Sequence, residues 1–526
     1  MCAKVCDIWF KKDKKDRCYY TLQGCYNNDE FLAIVKYKSW IFKSWKIGKE
    51  EKDFCYIDTE DYNGRTFWSY IGFAPIIIRL LQQKEYIVNE KELNEKRYVM
   101  SYLINGKENF YSKNIIIGPM YYKLWDFQEE AVKRWIDNGM CGIIKSPTGS
   151  GKGIIACDII KKVSVRTLIS VHTSDLMINV WYNNLVEQFS ETIKGRIGLV
   201  GGGLSKKDRL DMRMDGNCSF EYNIGKDIVI ATAQSVLNKL DKLTTEKFGL
   251  VIFDEVHHYS AGKFKKVANS VRAPYKLGLS ATLNRPDGTY PMFEGMLGGR
   301  CYDIGIKKLV EKGVLVQPMF ETIIVNDHPI QMEIATCGLR QLELIRYIKK
   351  LSSSSIVKKD YILELVKNLK LNNKKFIMYT DWVTPSDGVF TRDDYVTYLQ
   401  DMGIRVIGVD AKFSGKQREQ LFDALKKGKL DGLVFGALGS EGVNIPAVDS
   451  IVMCNATAST IRYPQRVGRG MRSLRDGSKT HAYIYEVLLD TPKEHEWSNK
   501  NFYEYKNEGY RKKKIWYDNG KVVNVE

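Results

Sequence analysis

The run Ser146-Pro147-Thr148-Gly149-Ser150-Gly151-Lys152-Gly153 carries the first recognisable chemistry in this chain. Its glycines let backbone N–H groups turn inward around phosphate oxygens, and its lysine adds a full positive charge, so it suits a nucleoside triphosphate. The apolar runs Cys141-Gly142-Ile143-Ile144 before it and Ile154-Ile155-Ala156 after it predict strand, loop and helix in that order. Pro147, Thr148, Gly149, Ser150, Gly151, Lys152 and Gly153 are therefore candidate triphosphate-binding residues. One position departs from the pattern. The residue after the lysine is Gly153, where a Ser or Thr hydroxyl would ligate magnesium. A water, Thr148 or Ser150 is left to fill that role, and weakened rather than abolished metal binding is expected. On this reading Gly153→Thr alters the magnesium dependence of ATP hydrolysis.

Further along the chain stands Asp254-Glu255-Val256-His257, after the apolar run Gly249-Leu250-Val251-Ile252-Phe253. Such a run reads as a buried parallel strand, which places the two acids at its carboxyl end, where doubly wound sheets put their ligands. Asp254 is expected to hold Mg2+ beside ATP and Glu255 to orient the attacking water. An ordinary acidic pair at a strand end is the plain alternative, and the phosphate loop upstream weighs against it.

Taken in order, the segments resemble the motor of a superfamily 2 helicase of the DExH type, over residues 120 to 490. Leu124-Trp125-Asp126-Phe127-Gln128 is similar to the adenine-reading element, with Gln128 facing the base. Ser280-Ala281-Thr282 matches the segment that links hydrolysis to strand movement. Gly439-Ser440-Glu441-Gly442-Val443-Asn444-Ile445-Pro446 and Gln465-Arg466-Val467-Gly468-Arg469-Gly470-Met471-Arg472 resemble the fifth and sixth motifs. The resemblance implies nucleotide contacts from Glu441 and Gly442. It also implies that His257 couples the carboxylates to Gln465, Ser280 and Thr282. A helix after Pro464 puts Arg469 and Arg472 three residues apart on one face, aimed at the charge of a transferred phosphoryl group. Arg466 and Arg475 read as solvated surface residues. Segment Leu277 to Gly288 is more similar to the XPB-type and phage UvsW-type DNA branch than to the DEAD-box RNA branch.

Strand-like runs alternate with helix-like segments through both halves. The fold class is α/β, with two tandem RecA-like parallel-sheet domains and a small N-terminal α+β accessory domain. The expected division is an accessory domain for substrate recognition at 1–118, an ATP-binding domain at 119–316, a second motor domain at 317–490 and a basic tail at 491–526. The linker is expected near Gln317-Pro318, and Leu351-Ser352-Ser353-Ser354-Ser355 reads as a loop. Loops away from the ATP side are the natural track for nucleic acid. There His172, Thr173, Thr232, Gln234 and Thr380 match backbone-contacting motifs of the family, although each also suits a helix cap. In the first domain Lys36 to Lys46 interleaves Lys with aromatic residues, which suits either base stacking or a strand with one aromatic face. Asp61 to Trp68 followed by Ile71 to Leu81 suggests a hairpin and a helix.

With 80 Lys and Arg against 63 Asp and Glu, the net charge of +17 attracts polyanions. DNA, single-stranded, forked or branched, is the expected partner and RNA the alternative; a clamp that binds ATP with little turnover is a third reading. Cys2, Cys6, Cys18 and Cys25 lack the close pairs of most zinc sites. No secretory signal and no long apolar span is read, so the expectation is a cytoplasmic protein (host cytoplasm for a viral one) with reduced thiols, no membrane and a monomeric state.

Overall fold

The structure is a computed structural model. It describes residues 5–12, 18–24, 45–47, 50–52, 55–58, 66–70, 81, 86–90 and 115–526, apart from 213, 246–247, 260–263, 271–272, 283–294, 340, 385–387, 410–412, 414, 437–447, 458, 460 and 475–476. Two compact units divide the chain: Met1–Ser146 with Gly151–Asp303, and Pro147–Ser150 with Ile304–Glu526.

In the N-terminal part the strands are β1 (Val5–Lys12), β2 (Cys18–Gly24), β3 (Trp45–Ile47), β4 (Glu50–Lys52), β5 (Cys55–Asp58), β6 (Thr66–Tyr70) and β7 (Ile87–Glu90). Five of them form a sheet in the order β5-β6-β2-β1-β7, antiparallel except for β1 with β7, and β3 and β4 pair as a hairpin. Cys6 lies opposite Gly24 and Cys18 opposite Lys12. The two cysteines therefore sit at opposite ends of the pair, about 20 Å apart at the rise of a strand, too far to share a metal. Cys2 and Cys25, residues 36–44, 61–65 and 71–80 lie outside the described residues.

The first motor sheet holds β8 (Cys141–Lys145), β9 (Thr167–Val171), β10 (Ile197–Val200), β11 (Ile228–Thr232), β12 (Leu250–Asp254), β13 (Tyr275–Ser280) and β14 (Arg300–Asp303). They run in the order β10-β11-β9-β12-β13-β8-β14, all parallel. Continuous apolar runs such as Leu250–Asp254 make sense here, because helices cover both faces of such a sheet. Right-handed crossovers from β8 to β9 and from β9 to β10 both advance towards the same edge, so their helices lie side by side on one face. These are Lys152–Val163 and, after β9, the π-helical Leu176–Tyr182 continued by Asn183–Phe189. Met177, Trp181, Leu185 and Phe189 bury the inner stripe of that second helix.

The second motor sheet holds β15 (Gln317–Val325), β16 (Phe376–Tyr379), β17 (Val406–Val409), β18 (Gly432–Phe435), β19 (Ser450–Met453), β20 (His481–Leu489), β21 (Lys512–Asp518) and β22 (Lys521–Val525). Its order is β17-β18-β16-β19-β20-β15-β21-β22, parallel up to β21 and antiparallel at β22. Two parallel-sheet α/β units thus stand in tandem, as the alternation of strands and helices predicts.

Three sequence expectations are corrected here. Gln317-Pro318 is no linker: it opens β15, which pairs with β20 on one side and β21 on the other. Proline is tolerated there because the Gln317 N–H points to the β20 side, so the Pro318 nitrogen faces the other side, where pairing with β21 begins only at Phe320. Leu351–Ser355 is not a loop, since helix Gln341–Ser354 runs through it and Ser355 Oγ caps helix Ile356–Leu371 by accepting from the Lys358 N–H at 3.2 Å. Residues 491–526 are not a free tail. They form helix Pro492–Asn507, capped by Thr491, and the two edge strands. Phe320 of β15 receives Phe502, Tyr505 and Tyr510 edge-on at 5.0, 4.8 and 6.1 Å between ring centres, which ties the segment down. Phe502→Ala is expected to lower stability by about 3–5 kcal/mol in a urea unfolding titration; an unattached tail would leave the midpoint where it was.

Candidate functional site

β8 runs into the phosphate-type loop, and Gly149 (φ 90°) and Gly151 (φ 82°) take left-handed conformations that only glycine adopts cheaply. Gly151 is the N-cap of helix Lys152–Val163 and no side chain closes that end, which leaves first-turn N–H groups for a ligand. Lys152 Nζ folds back and donates to Ser146 O at 3.1 Å. The Ser146 N–H donates to Ser280 O at 3.0 Å, fastening the loop to β13. Ser150 and the Thr148 hydroxyl are buried. Pro147 stands at the turn whose carbonyl accepts from the Ser150 N–H at 3.2 Å. Gln128 is buried, its Oε1 accepting from the Trp125 N–H at 3.0 Å. A Cβ at Gly151 would fall 2.6 Å from Gln128 Nε2, so that amide lies directly against the loop. At Gly153 a Cβ would fall 2.6 Å from Asn184 Nδ2.

The carboxylates stand at the end of β12, separated from β8 by β13 alone. Asp254 Oδ2 accepts from Trp181 Nε1 at 2.8 Å, and Oδ1 accepts from the Glu255 N–H at 3.0 Å. Glu255 is left-handed (φ 49°, ψ 61°), a costly conformation for a side-chain-bearing residue. Burial, then the Glu255 charge, raises the Asp254 carboxyl to about 6, while the Trp181 N–H and Lys152 pull the other way. For Glu255 burial also pushes upward, but Lys152 followed by His257, His258 and His172 outweighs it and holds the carboxyl below its usual range. His257 Nδ1 lies 3.3 Å from Glu255 Oε2 and 3.1 Å from Ser280 Oγ; Ser280 Oγ in turn donates to Thr282 O at 2.5 Å. His257 thus joins Glu255 to the Ser280–Thr282 segment, and Thr282 itself is buried. The His258 ring stacks on His172 with centres 3.9 Å apart.

At the strand ends beyond, the small polar residues are engaged as caps. Thr173 Oγ1 accepts from the Leu176 N–H at 3.3 Å. Thr232 Oγ1 caps helix Ala233–Asn238, accepting from the Ser235 N–H at 3.4 Å, and Gln234 Nε2 donates to Asn238 Oδ1 at 2.8 Å. Sequence reasoning missed Gly201-Gly202-Gly203 after β10, although three successive glycines were signal enough. All three have positive φ (106°, 79° and 65°), and a Cβ at Gly201 would meet Ser235 Oγ at 2.3 Å and Thr232 Oγ1 at 2.6 Å, so the Gly201 backbone lies against the side chains that follow β11. It also missed Trp181 and Asn184, which have no local signal: each reaches a partner distant in sequence.

In the second unit Thr380 is buried after β16 and its Oγ1 donates to Trp382 O at 3.2 Å. Helix Arg462–Gly470 carries Gln465, Arg466 and Arg469, all buried. Arg466 corrects the expectation of a surface residue: it is 1% exposed, with its guanidinium 4.6 Å from the centre of the Tyr379 ring. Arg469 Nη1 lies 3.4 Å from the Tyr379 hydroxyl. The expectation of a helix after Pro464 that carries both Arg469 and Arg472 on one face is corrected: the helix starts at Arg462 and ends at Gly470, and Arg472 lies beyond it in an isolated bridge with Leu315, where burial and then the Arg469 charge lower it to about 10. Glu441, Gly442 and Arg475 lie outside the described residues.

Residues 121–285 match the family described as type III restriction enzyme, res subunit, and residues 357–473 match the helicase conserved C-terminal domain; together these cover more than half of the chain. The chain is 26% identical over 371 residues to the DNA 3'-5' translocase XPB2 of Sulfurisphaera tokodaii, covering 66% of this chain and 79% of that one. It is 25% identical over 373 residues to the DNA 3'-5' helicase XPB of Kineococcus radiotolerans, covering 70% of this chain and 60% of that one. A fragment of the HsdR subunit of a type I restriction enzyme from Vibrio vulnificus YJ016 shares the fold at a TM-score of 0.53 and 16% identity, covering 77% of this chain and 71% of that chain. The chain belongs to the superfamily 2 helicases of the DExH type and is similar to their XPB-type members. As a member of that family it is an ATP-dependent helicase.

The residues present fit a triphosphate with a divalent ion. An uncapped helix N-terminus and Lys152 answer the phosphate charge, and the Asp254 carboxylate is a hard oxygen donor held in place by Trp181. Because a proton and a metal compete for Asp254, lowering the pH through about 6 is expected to raise the Mg2+ concentration needed for half-maximal ATP hydrolysis. Trp181→Phe removes a donor that favours the anion, so the acid loss should begin at higher pH. Mg2+ titrations of the ATPase at several pH values read both effects; a midpoint indifferent to pH contradicts this account of Asp254.

Proposed function

We propose that the chain converts ATP hydrolysis into 3'-5' movement along DNA, acting on forked or branched recombination and repair intermediates. Lys152 holds the terminal phosphates, Asp254 the magnesium, Glu255 the attacking water, and His257 relays the state of that centre to Ser280 and Thr282. The observation that carries this reading is geometric: Lys152 Nζ bonds Ser146 O, the Ser146 N–H bonds Ser280 O, and His257 Nδ1 lies against both Ser280 Oγ and Glu255 Oε2, so cation, metal ligand and water-orienting base stand at neighbouring ends of β8, β13 and β12.

Arg469 and Arg472 are proposed to stabilise the charge developing on the γ-phosphoryl group, with Gln465 beside them, Glu441 and Gly442 at the nucleotide, and Gln128 at the base. Residues 119–303 then act as the ATP-binding lobe, 304–526 as the second lobe, and 1–118 as the module that chooses the substrate. Closure of the lobes on ATP and opening after hydrolysis supplies the step. DNA as substrate and 3'-5' polarity are supported by the XPB-type relatives, whose names state both. The surplus of 17 positive charges supports a backbone-tracking, salt-sensitive contact. His172, Thr173, Thr232, Gln234 and Thr380, which follow or end β9, β11 and β16, are proposed to meet phosphate and sugar oxygens through backbone and small polar groups.

ATPase rates without nucleic acid and with single-stranded DNA, forked DNA and RNA test the proposal together. DNA is expected to stimulate hydrolysis, forked DNA most, with an effect that shrinks as salt rises. Glu255→Gln is expected to lower the stimulated rate by roughly 10²-fold or more while nucleotide binding persists. Stimulation by RNA alone overturns the substrate assignment, and an unstimulated rate that Glu255→Gln leaves unchanged overturns the enzyme.

A further inference from the structure

We infer that Asn184 supplies the polar group that the phosphate loop lacks at Gly153, and so acts as a positioning residue for the magnesium bound with ATP. The inference rests on the ATP-site reading above and deepens it.

Position 153 is the place from which a Ser or Thr hydroxyl would reach the metal, and glycine offers nothing there. The space is not empty, however. A Cβ built on Gly153 would lie 2.6 Å from Asn184 Nδ2 and 3.6 Å from Asn184 Cγ, so the asparagine amide stands where that side chain would begin. Glycine at 153 and asparagine at 184 are therefore mutually dependent: any larger residue at 153 displaces the amide.

Asn184 stands on the segment that already serves this site. It follows Trp181 by three residues, across the join between π-helical Leu176–Tyr182 and helix Asn183–Phe189. Trp181 reaches the site directly, its indole N–H donating to Asp254 Oδ2 at 2.8 Å. One continuous helical segment thus contacts Asp254 through Trp181 and the first turn of the phosphate helix through Asn184. Asn184 is only partly buried and can turn its amide about the terminal bond, presenting the carbonyl oxygen. Carbonyl oxygens are suitable partners for a hard cation or for a water in its shell. The asparagine thereby provides the same kind of oxygen that a hydroxyl at 153 would, from a neighbouring helix.

Binding of a fluorescent ATP analogue to the full chain, with Mg2+ and with EDTA, tests this in five proteins: wild type, Asn184→Ala, Gly153→Thr, the double variant and Lys152→Ala. Asn184→Ala is expected to weaken binding in Mg2+ by roughly tenfold and to leave binding in EDTA unchanged. Gly153→Thr alone should also weaken it, because its Cβ meets the asparagine amide. Combining the two should restore Mg2+-dependent binding to within about threefold of wild type, since the threonine hydroxyl then has both room and purpose. That recovery cannot come from a protein that fails to fold, and a thermal melt of each variant checks it. Wild-type binding by Asn184→Ala, an equal loss in EDTA, or a double variant no better than either single one overturns the inference. If Lys152→Ala binds nucleotide normally, the ATP-site reading itself falls, which is a separate result.

Discussion

Two carboxylates on consecutive residues, both enclosed by protein, repel each other and resist charging; keeping either ionised in such a place costs several kcal/mol unless a cation stands by. Asp254 and Glu255 are such a pair, and Lys152 is the cation felt by both. Much of the first motor unit follows from meeting that condition. The order β12-β13-β8 brings the strand that delivers the acids within one neighbour of the strand that delivers the lysine. Trp181 and the Glu255 N–H hold Asp254, and His257 supports Glu255. The site is thus prepared for a charged ligand before one arrives, which is the condition for electrostatic stabilisation without reorganisation.

The second unit meets the opposite problem. Arg466 and Arg469 are buried three residues apart on one helix, where like charges repel. Tyr379 moderates this by offering its ring face to Arg466 and its hydroxyl to Arg469.

The sequence made legible whatever is written in short, contiguous runs. The loop at 146–153, the acids after Phe253 and most parallel strands could be read because each depends on residues adjacent in the chain. What was illegible depends on partners distant in the chain. Pro318 reads as a break, yet β15 accommodates it because its second residue can forgo a donor. Four serines in a row read as a loop, although three finish one helix and the fourth caps the next. Residues 491–526 look like a charged tail because lysines mask the aromatic contacts that bind them to Phe320. Arg466 looks like any surface arginine until Tyr379, 87 positions earlier, is placed beneath it. Asn184 has no mark at all in the sequence, since its meaning lies in the absence of a side chain at Gly153.

The most direct measurement is a crystal structure of the full chain with a non-hydrolysable ATP analogue and magnesium. The account predicts a γ-phosphate in contact with Lys152, metal on Asp254, and the guanidinium of Arg469 or Arg472 turned onto the same phosphate. A nucleotide bound away from residues 146–153, or arginines 469 and 472 directed elsewhere with the phosphates in place, contradicts it.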